Sequence, residues 1–203
     1  MTTIRHHLAT HSLMSFAAGS LPGALAAVAG AHLGMCAACR RELTLLEHIG
    51  GALLEGLPAI PLEDSEPALP PAPAERRGRP DNPILAHARQ EFAGVAWRRI
   101  GIGLWHRPLP LPGRGSVQLI KAAPGAAVPD HGHAGAELTL VLRGALIDAS
   151  GRYGPGDVAD LDEEVEHTPV ADAAAGCICA VANERPSRFH GLLARLLQPW
   201  HGL

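Results

Sequence analysis

The chain has 203 residues, 47% of them hydrophobic and 18% charged, so it can bury a core and wholesale disorder is excluded. Its net charge is −3, without the surplus of Lys and Arg that unspecific binding to nucleic acid or an anionic membrane requires. Twelve His and four Cys beside a single Lys point instead to metal chemistry. Residues 1–57 read as helical. Leu13, Phe16 and Ala17 have i, i+3, i+4 spacing, with Gly19 and Ser20 as a stop and a new cap. Leu25, Val28, Ala29 and His32 continue that spacing on a second helix, with Pro22 in its first turn. Leu43, Leu46 and Ile49 to Leu53 predict a third. Residues 58–83 carry eight prolines and read as an extended linker.

Residues 84–203 change character. After a short helix over Ile84 to Phe92, alternation takes over at Val117 to Lys121. Leu138 to Leu142 reads as a strand buried on both faces, and Cys177 to Val181 as another. Gly144, the 151–156 cluster and Pro124-Gly125 interrupt the strands, the pattern of an all-β sandwich or barrel. A final helix is expected over Leu192 to Leu197. Residues 12–39 carry no formal charge, but Gly19, Pro22, Gly23, Gly30, His32 and Gly34 argue against a membrane span. The apolar run Leu13 to Ala18 is short for a signal peptide, so a cytoplasmic protein is expected.

His32-x-x-x-Cys36-x-x-Cys39 is the first chemical signal. At i, i+4 and i+7 on one continuous helix, the three donors would share a face. Zinc takes four N or S donors in a tetrahedron, so a fourth is needed, and spacing leaves His6 and His7 equivalent. The pattern resembles the zinc-binding anti-sigma domain, an upstream His followed by H-x-x-x-C-x-x-C. It resembles ChrR-type anti-sigma factors in particular, which join such a domain to a C-terminal cupin. The resemblance implies that His7 is the fourth ligand. It also implies a two-domain chain, with a small zinc-stapled all-α domain over 1–57 and an all-β cupin, a jelly-roll barrel, over 84–203.

The second signal is Gly125, five residues, His131-x-His133, three residues, Glu137, six residues, Gly144. This is the first cupin motif without a mismatch. His131 and His133, two apart, face one way on a strand, and Glu137 follows from the next. His167 is the candidate fourth donor. Two or three imidazoles and a carboxylate suit zinc or another divalent transition metal. The second cupin motif is degraded: Pro155-Gly156-Asp157 makes the turn, but Asp162 and Glu164 replace the usual Pro and Gly, and Ala171 replaces Asn. Its acidic run ending in Glu166-His167-Thr168-Pro169 is like that of ChrR-type cupins. Cys177 and Cys179 share one face of a strand and are read as small core residues before a redox role.

The resemblance implies that the chain is no enzyme. It implies a regulator that holds an extracytoplasmic-function sigma factor away from RNA polymerase and releases it on exposure to singlet oxygen or related oxidants. The resemblance also implies a fourth sigma-contacting helix after the zinc domain; here the matching region, Pro58 to Pro83, is proline-rich, so either that helix is short and lies at Ile84 to Phe92 or the grip is different. A second reading, from the cupin residues alone, is a dioxygenase-like metalloenzyme with a zinc-bound helical appendage.

Overall fold

Helix α1 (Thr10–Ala17) is short and buries Ser12 and Leu13. Helix α2 (Gly23–Met35) has no charged residue and buries Ala24, Leu25, Val28, Ala29, Ala31, His32 and Leu33. Burial around so much of its circumference is what an uncharged helix demands. Helix α3 (Ala37–Glu55) buries only Cys39 and Leu43. The computed structural model describes residues 3–58, 82–128, 131–132, 135–162, 168–185 and 188–189. Most of the linker and the expected helix over Leu192 to Leu197 lie outside these.

One helical expectation is corrected. His32, Cys36 and Cys39 do not share a helix, because the chain breaks at Cys36, whose φ of −99° and ψ of 109° are extended. The axes of α2 and α3 diverge by 116° across this break. Cys36 caps α3 through its own sulfur, which accepts the Cys39 amide, so the residue that ends one helix starts the next. Helix α4 (Pro83–Arg89) covers part of the stretch expected from Ile84 to Phe92. It stops early because Glu91 and Phe92 take left-handed φ values of 50° and 60°. Asn82 caps it, accepting from the Ile84 and Leu85 amides, while its Nδ2 donates to the Ala27 carbonyl and ties α4 to α2.

The strands follow in chain order: β1 (Arg98–Gly101), β2 (Leu104–Leu109), β3 (Ser116–Ala122), β4 (His131–Gly132) and β5 (Glu137–Gly144). Then come β6 (Leu146–Asp148), β7 (Gly151–Tyr153), β8 (Val158–Leu161), β9 (Val170–Ala171), β10 (Cys177–Asn183) and β11 (Arg188–Phe189). They form a six-stranded sheet, β1-β2-β3-β10-β5-β8, a three-stranded sheet, β7-β6-β9, and the pair β11-β4. All named pairs are antiparallel.

Alternation sorts the large sheet into two faces. Val117, Leu119, Leu138, Leu140, Val158, Ala180 and Ala182 form one core with Leu25, Val28, Ala29 and Leu33 of α2. The opposite face carries Leu104, Ala122, Val141, Cys177, Cys179 and Val181, which close against Leu146, Tyr153 and Ala171 of the small sheet. The helices and the barrel thus share a continuous core through the outer face of the sheet, while the barrel keeps its own interior.

Candidate metal centre

The break at Cys36 gathers the first ligand set. Cys36 sits at the junction of α2 and α3, Cys39 in the first turn of α3, and His32 in the last turn of α2. His7 arrives on the extended segment before α1. One donor atom from each of His7, His32, Cys36 and Cys39 lies within 4.8 Å of every other. His32 Nε2 is 3.2 Å from Cys39 Sγ, and His7 Nδ1 is 3.3 Å and 3.6 Å from the sulfurs of Cys36 and Cys39. Zinc, with bonds of about 2.3 Å to sulfur and about 2.0 Å to nitrogen, sets N···S edges of roughly 3.5 Å on a tetrahedron. Two imidazoles and two thiols at these separations fit that ion.

The surroundings strengthen the fit. His32 Nδ1 lies 2.9 Å from the Gly156 carbonyl, which accepts its N–H and leaves Nε2 as a lone-pair donor facing the cluster. Burial pushes the His32 imidazolium pKa down to about 4; the Gly156 carbonyl opposes that and the neighbouring His7 adds to it. Burial pushes the Cys39 thiol up to about 11, against the Leu8 amide, which favours the thiolate. Without a metal these groups stay neutral, so a divalent ion would bind with release of thiol protons. Three of the four ligands are buried and His7 is exposed, so the cluster opens to solvent on one side. The His6 ring stacks instead on Tyr153, 4.1 Å between centroids, away from the ligand set.

The second set is not brought together among the described residues. Glu137 opens β5, is 3% exposed, and its Oε1 accepts Thr139 Oγ1 at 3.0 Å. It shares the barrel-interior face with Thr139 and Val141. His131 is on β4, paired with Phe189 of β11. His133 and His167 lie outside the described residues. Cys177 and Cys179 point into the barrel. The Cys179 thiol is pushed well up by its contact with Cys177 and by burial, and Glu137 adds to this.

Sequence reasoning passed over several residues here. His106 and Gln118, both buried, pair inside the barrel with His106 Nδ1 3.0 Å from Gln118 Oε1, and Asn183 is buried opposite Glu137. Gln118 falls at an alternate position of a strand whose other face is apolar, and that was its only signal. Asp157 and Asp160 were missed as well. Both accept backbone amides of the segment that carries His7.

Comparison with known proteins agrees with this architecture. Residues 86–186 match the family model of the ChrR cupin-like domain. The chain is 39% identical to anti-sigma-E factor ChrR of Cereibacter sphaeroides, over 98% of each chain. Its fold is similar to the anti-sigma ChrR chain in the crystal structure of Rhodobacter sphaeroides SigE in complex with ChrR. There the TM-score is 0.73 at 38% identity, covering 89% of this chain and 100% of that one.

Proposed function

The chain belongs to the ChrR family of anti-sigma factors, and on that premise we propose that it binds and inhibits an extracytoplasmic-function sigma factor in the cytoplasm. The observation that carries this reading is the junction of α2 and α3. A complete His and Cys ligand set stands at the root of a helix whose far end is bare and apolar. Leu45, Ile49 and Leu53 recur every four residues along one stripe of α3, with Leu54 and Leu57 beside them, and all five are exposed. Uncovered apolar surface of this kind marks a protein partner.

In this reading residues 1–57 are the sigma-binding unit and 84–203 the sensory cupin. His7, His32, Cys36 and Cys39 hold zinc, which supplies a tetrahedral crosslink between the N-terminal segment, α2 and α3. Cys36 and Cys39 fix the start of α3, His32 fixes the end of α2, and His7 draws in the chain ahead of α1. Together they set the angle at which α3 presents its apolar stripe. In the barrel, His131, His133, Glu137 and His167 hold zinc or another divalent transition metal. Release follows singlet oxygen or a related oxidant acting at the cupin. Moving a complex from nearly all bound to nearly all free needs a differential of about 5.5 kcal/mol between the two states. No catalytic acid, base or nucleophile is assigned.

The test is co-purification with the cognate sigma factor, with metal counted per chain. Wild type is expected to capture the sigma factor with two metals bound. Cys36→Ser/Cys39→Ser loses one metal and the capture. His131→Ala/His133→Ala loses the other metal, keeps the capture and no longer releases the sigma factor under singlet oxygen. Wild type that captures no sigma factor overturns the reading.

A further inference from the structure

His7 is a ligand candidate on a segment with no regular structure of its own, since residues 3–9 are neither helix nor strand. A ligand on such a segment is poorly directed unless something else holds the backbone. Here the holder is the barrel. Asp157 Oδ1 accepts the amides of Arg5 at 2.6 Å and His6 at 2.9 Å, and its Oδ2 accepts Gly154 at 2.7 Å. The Val158 amide donates to the His6 carbonyl at 3.3 Å. Asp160 then accepts the Ala9 amide at 2.9 Å and the Ser12 hydroxyl at 3.1 Å. His7 is therefore fastened on both sides by β8 and the turn before it. The same turn directs a second ligand, because Gly156 supplies the carbonyl on His32 Nδ1.

The approach is close enough to require glycine. Gly156 has a φ of +93°, and a Cβ there would stand 2.8 Å from Ile4 Cδ1 and Cγ1. Asp157 is 3% exposed and accepts three backbone amides, two of them from the far end of the chain. A buried carboxylate turned on the approach of a metal ligand does more than close its own turn.

We propose that the barrel turn Pro155–Asp157 is the positioning element of the N-terminal metal site, with Asp157 and the Gly156 carbonyl orienting His7 and His32. The barrel thereby forms part of that site's outer shell. The strand that follows the turn, β8, pairs with β5 and ends with Leu161 opposite Glu137. One short strand therefore spans the two ligand sets. The proposal rests on metal binding at the N-terminal cluster, as read above, and is independent of the sigma factor.

The test uses the full chain loaded with cobalt(II) as a spectroscopic stand-in for zinc. Asp157→Asn replaces one accepting oxygen by a donor, and Gly156→Ala forces Ile4 and the turn apart. Both are expected to shift the sulfur-to-cobalt charge-transfer and ligand-field bands and to weaken retention of the metal against a chelator by about 10- to 100-fold, the range for loss of an outer-shell partner. Asp172→Asn, at a half-buried carboxylate elsewhere in the barrel that pairs with Arg152, leaves the bands unchanged. A merely structural Asp157 would lower the melting temperature and leave the bands where they were, and that result overturns the proposal.

A second measurement covers variants that do not fold. Coupling is reciprocal, so an empty ligand set must loosen the turn. In Cys36→Ser/Cys39→Ser the amides of Arg5, His6 and Val158 are expected to exchange at least 10-fold faster than in wild type, with β3 and β10 unaffected. Equal exchange in the two proteins overturns the proposal. Wild type with no thiolate–cobalt band overturns both this proposal and the zinc reading beneath it, whereas failed sigma capture beside a normal band touches only the latter's regulatory part.

Discussion

Helices α2 and α3 are consecutive, hinged at one residue, and meet opposite fates. Helix α2 lies on the outer face of the barrel sheet, with Val28 and Ala29 fully buried against Leu138, Leu140 and Ala180. Beyond Leu46, which still packs on the core, α3 buries no residue among the described ones: Leu53 and Leu54 are 69% and 70% exposed. Both helices carry apolar residues, so hydrophobicity alone does not separate them. What separates them is the absence of charge on α2 and the presence of Arg40, Arg41, Glu42, Glu47 and Glu55 on α3. A helix with no charged face has nowhere to sit but inside; a helix with one can leave its apolar stripe for a partner.

This contrast can be broken most severely at its buried side. Val28→Asp places an unpaired charge between α2 and the sheet and is expected to cost about 4 kcal/mol or more, enough to abolish a cooperative thermal transition. A variant that melts like wild type would show that α2 is not clamped. Next in size is the hinge. Cys36→Ser/Cys39→Ser should strip the N-terminal metal and uncouple α3 from α2, seen as lost amide protection in the first turns of α3 while β3 and β10 stay protected.

The exposed side sharpens the contrast in the other direction. Leu53→Ser/Leu54→Ser is expected to leave stability within about 0.5 kcal/mol, because both side chains already face water. It should weaken sigma-factor capture by at least about 10-fold, measured by titration calorimetry, as anchors at the centre of an interface do. A large fall in melting temperature would mean that the stripe packs within the chain.

The glycines give the smallest and cleanest pair. A Cβ on Gly23 of α2 would lie 2.7 Å from the Pro112 carbonyl, whereas one on Gly50 of α3 meets nothing within 4 Å. Gly23→Ala should destabilise by about 1–3 kcal/mol through overpacking. Gly50→Ala should stabilise by about 0.5–1 kcal/mol, by removing a flexible residue from an exposed helix interior. Chemical denaturation of both variants checks the signs, and equal signs would contradict the packing described for the two helices.

Much of this was legible in the chain itself. The His, Cys and Cys spacing announced the donors of the first set, and the alternation at Val117 to Lys121 and at Cys177 to Val181 announced the sheet. The hinge was not legible, because H-x-x-x-C-x-x-C fits one helix as well as two. The break depends on Cys36 turning its sulfur to cap α3, and helical periodicity carries no trace of that. The choice between His6 and His7 was open by spacing because adjacent residues on an extended segment point in opposite directions. Their separation in the fold, with His6 on Tyr153 and His7 in the cluster, depends on which side the barrel lies.

By itself the sequence determined the chemistry on offer: which donors exist, that residues 1–57 are helical and the part after the linker is built mainly of short strands, and that an uncharged α2 favours burial. These follow from side-chain type and local period, which neighbouring residues share along the chain. Only the tertiary structure decided where the donors converge. Asp157 stands 152 residues from Arg5 and Gly156 stands 124 from His32, yet they hydrogen-bond across those separations. Pro155-Gly156-Asp157 reads as an ordinary turn until the chain's beginning is laid against it. No local pattern records a contact whose two halves are so far apart, because the partner amides belong to the backbone and every residue but proline has one.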